Sequence, residues 1–110
     1  MRSNWVRGAA VAAWALAAAP VAGAEADGAA VYKDKCITCH GKAGTPPAPF
    51  AKRGVKDLSS AEWQQSQSDE QIRESIAKGT EETLMRAFEK ELEPEQIDAL
   101  VAFVRGLRAD

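Results

Sequence analysis

A chain of 110 residues with 14 Lys and Arg against 16 Asp and Glu has room for one small domain and carries a formal charge of −2 at pH 7. That balance excludes nucleic acid as a partner, because a phosphate backbone demands a cationic surface. The only cysteines, Cys36 and Cys39, stand so close in sequence that a disulfide between them would close too short a loop to hold a domain together.

Residues 1–24 read MRSNWVRGAAVAAWALAAAPVAGA, with Arg2 and Arg7 in front, an uncharged run from Gly8 to Ala19, and Ala22-Gly23-Ala24 at the end. This is the order of a secretory signal peptide with an A-x-A cleavage site, which predicts export and a mature domain over residues 25–110. The competing reading is an uncleaved membrane anchor, since the uncharged span from Gly8 to Ala24 is about 17 residues, the lower limit for crossing a bilayer. That span is mostly alanine and glycine and only weakly apolar. Cleavage removes both arginines and no acid, leaving 12 bases against 16 acids, a charge of about −4. A mature chain of this size buries too little surface to be self-sufficient and needs a staple, which a disulfide cannot supply here.

The first mature segment, from Gly28 to Cys36, has helix-compatible composition, with Val31 and Tyr32 as its larger apolar residues. From Gly41 to Lys56, three glycines together with Pro46, Pro47 and Pro49 predict an extended loop. Ser68 followed by Gln71 fits a capping box, Ile72 and Ile76 share a face, and Gly79 can end the turn, so 68–78 reads as a short helix. The last helix begins at Pro94, a good first-turn residue, and sets Ile97, Leu100, Val101, Val104 and Leu107 on one stripe. Nothing alternates like a strand over more than a few residues. The expected fold is all-α, three to four short helices and long loops wrapped around a bound group.

That group is indicated by Cys36-Ile37-Thr38-Cys39-His40, because C-x-x-C-H is the attachment motif of haem c. Two thiols at this spacing can each add across a haem vinyl group, and the adjacent imidazole can reach the iron from one face. A thiol-disulfide oxidoreductase also uses C-x-x-C, but it expects strands around the motif. Structural zinc would need a fourth ligand, and the chain has no third cysteine and no second histidine.

With G-x3-Y-x3-C-x2-C-H matched at Gly28, Tyr32, Cys36, Cys39 and His40, the mature chain resembles a class I cytochrome c. This is the small mono-haem domain found as free carriers and in haem subunits of terminal oxidases. The resemblance implies one covalent haem c in a small all-α fold, with the first helix packed against an aromatic of the last, a place for Phe103. It implies that His40 and Met85 are the axial iron ligands. Met85 lies in the segment 79–88, which is similar to the family's methionine loop, except that Arg86 stands where proline is usual. A proline carbonyl would hold the second nitrogen of His40, for which Pro49 is the candidate and Pro47 the alternate. Trp63 stands where relatives set a tryptophan against the haem, its indole N–H turned to a propionate; an ordinary core role is the alternative.

With both iron faces taken, the expected function is that of an electron carrier in the periplasm, serving redox-protein donors and acceptors, and not that of an enzyme. One alternative is a haem subunit or docking partner of a larger redox enzyme. Another is a haem-based gas sensor in which Met85 releases the iron, a reading kept open by Arg86. Contact with a membrane would come only through oxidase or reductase partners or an uncleaved anchor.

Overall fold

The computed structural model describes residues 27–81 and 83–109; the expected signal peptide and the mature N-terminus at Glu25 lie outside the described residues. Within them the chain forms helices and loops, with no strand.

α1 (Gly28–Lys35) starts where the Asp27 carboxylate accepts from the Ala30 amide at 3.2 Å, satisfying a donor the helix leaves unpaired. After Cys36, the single turn α2 (Ile37–His40) follows and stops at Gly41. The stretch 41–56, predicted as an extended loop, contains a helical turn, α3 (Ala48–Ala51). Its prolines are the cause. Pro49 stands in the first turn, where its missing N–H costs nothing, and the Pro47 carbonyl accepts from the amides of Phe50 and Ala51 at 2.9 and 2.8 Å.

α4 (Ala61–Ser66) was not among the predicted helices. Ser60 caps it by accepting from the Trp63 amide at 3.1 Å, and Glu62 suits the positive end of the helix. α5 (Asp69–Lys78) carries the predicted capping box, with both Ser68–Gln71 bonds formed at 2.8 and 3.0 Å, and it buries Ile72 and Ile76. It ends at Gly79, whose φ of +74° favours glycine. α6 (Pro94–Arg105) begins at the predicted proline and buries Ile97, Leu100, Val101 and Val104, with Leu107 packed on the same cluster just beyond it. A second capping box, Glu93 with Gln96, sets its start. Among the described residues no helix is long and apolar enough to cross a membrane.

α1 crosses α6 at Gly28, where a Cβ would stand 2.4 Å from the Ala99 carbonyl oxygen; only glycine lets the backbones come this close. One turn on, the rings of Tyr32 and Phe103 meet with centroids 4.9 Å apart at 41°, the aromatic contact expected between first and last helices. The Tyr32 hydroxyl donates to the Gly41 carbonyl at 2.6 Å, tying α1 to the end of α2. Burial, helped by nearby Cys36, pushes this phenol up to about 12. α5 packs on the other side of α6, and Leu58, Phe88 and Leu92 complete the core from the loops.

One buried polar side chain locks this arrangement. Gln64 on α4 donates through Nε2 to the carbonyls of Leu58 and Val104 at 2.7 and 2.8 Å, while its Oε1 accepts from Arg105 at 3.0 Å. Arg105 also reaches the carbonyls of Gln64 and Gln67 and the carboxylate of Asp69, joining α4, α5 and α6. Gln64→Leu keeps the volume and removes the donors. It is expected to cost about 1–3 kcal/mol, the penalty of stranding buried polar groups. A lower urea midpoint at unchanged slope would report this loss; an unchanged midpoint would show that the network holds nothing together.

Candidate functional site

The cysteine motif occupies the junction of α1 and α2. The amides of Cys39 and His40 both donate to the Cys36 carbonyl, at 3.3 and 3.0 Å, so the three side chains are wound into one turn. They border a cavity of about 560 Å³ whose wall is largely apolar: Tyr32, Leu58, Trp63, Ile72, Ile76, Phe88, Leu100 and Val104. Pockets for small molecules and cofactors run to about 300–1,000 Å³. Met85 lines the same cavity. Thus Cys36, Cys39, His40, Trp63 and Met85, drawn from three separate parts of the chain, meet around one space, and Pro49 does not.

His40 is held by its Nδ1, which lies 3.0 Å from the Lys56 carbonyl oxygen. A carbonyl only accepts, so Nδ1 carries the hydrogen and Nε2 keeps its lone pair for a ligand. Burial lowers the pKa of this ring, against the opposing effect of the Lys56 bond. The partner is therefore Lys56, and the expectation of Pro49, or Pro47, is corrected. Pro47 directs its carbonyl to the amides that start α3, and Pro49 is an exposed residue of that turn. The carbonyl that reaches His40 is that of Lys56, five residues beyond the end of α3.

Both cysteines are unbridged and partly buried. Burial, then the neighbouring Cys39 and, less strongly, Asp34, push the Cys36 thiol up to about 11, with Arg86 acting in the opposite direction. Met85 sits in a loop pinned at both ends to the end of α5. The Thr80 amide donates to the Met85 carbonyl at 3.1 Å, and the amides of Phe88 and Glu89 donate to the carbonyls of Ile76 and Ala77 at 3.0 and 3.1 Å. Gly79 makes the first of these possible, since a Cβ there would come within 2.8 Å of the Met85 carbonyl oxygen. The Met85 side chain is half-buried against the core. Trp63, on α4, is half-buried against the same cluster and forms part of the cavity wall.

The donor set is one imidazole, one thioether and two thiols in an apolar chamber. Among the described residues, no group of three or more His, Cys, Asp or Glu is arranged to close a metal site alone. A metal that arrives inside its own planar ligand, needing axial donors and covalent tethers, suits this set; a bare ion does not. Sequence reasoning found the donors but missed the walls and the Lys56 carbonyl. The periodic spacing of Ile72 with Ile76 and of Leu100 with Val104 marks buried faces, and does not tell a cavity wall from solid core.

Residues 23–104 match the family described as cytochrome c oxidase, cbb3-type, subunit III. Among solved structures, the chain is similar to the KustC0563 c-type cytochrome, at 42% identity and a TM-score of 0.70 over 76% of this chain and 99% of that one. It is similar as well to a mutant of Kustc0563 in which a tyrosine is phenylalanine, at 41% identity and a TM-score of 0.67 over 74% and 99% of the two chains. Nothing among curated proteins matches.

Proposed function

The chain belongs to the c-type cytochromes, in the family of the cbb3-type cytochrome c oxidase subunit III, and from that premise we propose that it passes single electrons between redox proteins through one covalently bound haem c. The observation that carries this reading is the convergence of Cys36, Cys39, His40 and Met85 on one apolar cavity. When bound, the haem supplies the ferric–ferrous couple.

The chain's residues set the conditions for that couple. Cys36 and Cys39 would anchor the haem covalently through their sulfurs. His40 would ligate through Nε2, the nitrogen left free by the bond to Lys56, and that bond also makes the imidazole a more basic ligand. Met85 would offer its sulfur as a further donor, and a thioether favours the ferrous state relative to a second histidine. Trp63 and the aliphatic wall would limit the access of water, which disfavours the added charge of the ferric state and would raise the potential further. The Trp63 indole N–H is the donor we assign to a propionate. With His40 and Met85 both engaged as donors, the chain would leave no iron position for a substrate, which supports the role of a carrier.

The proposal includes export to the periplasm, with cleavage after Ala24 and a mature chain of residues 25–110. It rests on the charged, uncharged and A-x-A order of residues 1–24. A second reading, a haem subunit or docking partner of a larger redox enzyme, is favoured by the family's description as an oxidase subunit. Co-purification of an oxidase with the exported chain separates a permanent subunit from a free carrier.

A spectroscopic redox titration tests the carrier function. The expected result is one reversible one-electron wave, with sharp visible bands in the reduced form. A protein with no visible bands, or a two-electron wave from Cys36 and Cys39 as a dithiol, would contradict it.

A further inference from the structure

Arg86, which follows Met85 directly, is anchored by its side chain in two ways. Its guanidinium lies over the Phe88 ring, 4.2 Å from the centroid, and it pairs with the Glu91 carboxylate through both terminal nitrogens. Glu91 in turn accepts from the Lys35 ammonium at 3.4 Å. Lys35 is the last residue of α1 and precedes Cys36. Lys35 and Arg86 both border the cavity, on the two elements that carry Cys36 and Met85.

We infer that Lys35, Glu91 and Arg86 form a latch across the cavity rim that holds the Met85 loop closed on α1, whose last residue directly precedes Cys36. The inference rests on the reading of Met85 as an axial ligand. Among the described residues, the loop's backbone hydrogen bonds tie it to α5 at Ile76 and Ala77, and none of them reaches α1. The Lys35–Glu91–Arg86 chain supplies that missing connection. Its groups are exposed, with side chains 29%, 38% and 58% accessible, so the latch is weak and sensitive to salt. The Arg86 bond is the main reason that Glu91 titrates below the ordinary carboxylate range, with Lys35 adding to the effect.

A weak latch has a large readout when it competes with a weak bond. An added ligand binds iron only in the fraction of molecules whose Met85 has let go, so its apparent affinity scales with that fraction. Removing one exposed pair should raise imidazole binding to the ferric holoprotein by no more than about fivefold. A role of Arg86 through charge alone predicts otherwise. Glu91→Gln would then raise the potential by removing a negative charge and leave imidazole binding unchanged.

The experiment is an imidazole titration of the ferric holoprotein at low salt for the unmutated chain, Glu91→Gln, Arg86→Gln, the double variant and Glu89→Gln. The latch predicts tighter binding, by up to about fivefold, for Glu91→Gln and Arg86→Gln, and no further gain in the double variant, because both break the same connection. Glu89→Gln removes the Lys78–Glu89 pair of the same segment, which does not reach α1, and should bind as the unmutated chain does. Raising salt to about 1 M, where the screening length falls to ~3 Å, should bring the unmutated protein to the level of Glu91→Gln. Unchanged binding in Glu91→Gln, or an equal gain in Glu89→Gln, would overturn the latch while leaving Met85 ligation intact. If the unmutated protein lacks the red charge-transfer band of sulfur on ferric iron, or if Met85→Ala binds imidazole no tighter, the ligation reading fails and the latch fails with it.

Discussion

With Cys36 and Cys39 both changed to alanine, the protein is expected to lose the proposed haem and most of its stability. The described core does not close on itself: its helices surround a cavity of about 560 Å³ bordered by Leu58, Ile72, Ile76, Leu100 and Val104. Without an occupant those walls lose the contacts it would supply and face water, and closing over the gap would give up the positions of α5 and α6. The tethers matter because they keep the filler in place during fluctuations that release the axial ligands. Either cysteine alone leaves one tether, so the single variants should retain haem in lower yield. Pigment in the purified protein and the urea midpoint check both statements. A double variant that unfolds at the same urea concentration as the holoprotein would show that the core does not depend on its occupant.

Met85→Ala is expected to keep the haem and change its electronics. Cys36, Cys39 and His40 are untouched, so attachment should persist. The sixth position should open to water or added ligands, and the red charge-transfer band should disappear. The potential should fall by roughly 100 mV, the equivalent of about a fiftyfold loss of preference for ferrous iron at ~59 mV per decade. Stability should fall too, since the loop from Thr80 to Phe88 loses its bond to the cavity's occupant and keeps only its ties to α5. Potentiometry and carbon monoxide binding to the reduced protein are the measurements. A variant with unchanged potential and no new ligand binding would make Met85 a packing residue.

The parts of this structure that were legible in the sequence are those set by neighbours a few residues apart. Ser68 with Gln71, Pro94 at a first turn, and the 3.6-residue spacing of Ile97, Leu100, Val101 and Val104 each state their own local geometry. The cysteine motif is legible for the same reason, since one helical turn places both thiols and the imidazole. Gly28 with Tyr32 was legible only through the resemblance; the physical cause, close passage of α1 over the Ala99 carbonyl, is a tertiary fact. The prolines of residues 46–49 misled in two ways. They signal a break, and they also suit a first helical turn, which is how Pro49 came to sit in α3. The partner of His40 was out of reach because every residue has a carbonyl, and the one at Lys56 is chosen by where the chain runs. α4 left a trace that was passed over, a serine at 60 followed by an acid at 62. Glu91 left none, because its contacts with Arg86 and Lys35 join residues 5 and 56 positions apart.

Covalent attachment of haem at Cys36 and Cys39 is the proposal on which the rest depends, and the intact mass of the purified protein tests it most directly. The expected mass, with the proposed cleavage after Ala24, is that of residues 25–110 plus one haem, and the denatured pigment in alkaline pyridine should give the absorption of a ring with both vinyl groups saturated as thioethers. A mass without haem, or pigment that acidified organic solvent extracts from the unfolded chain, would contradict the assignment of Cys36 and Cys39 and with it the account of the cavity they border.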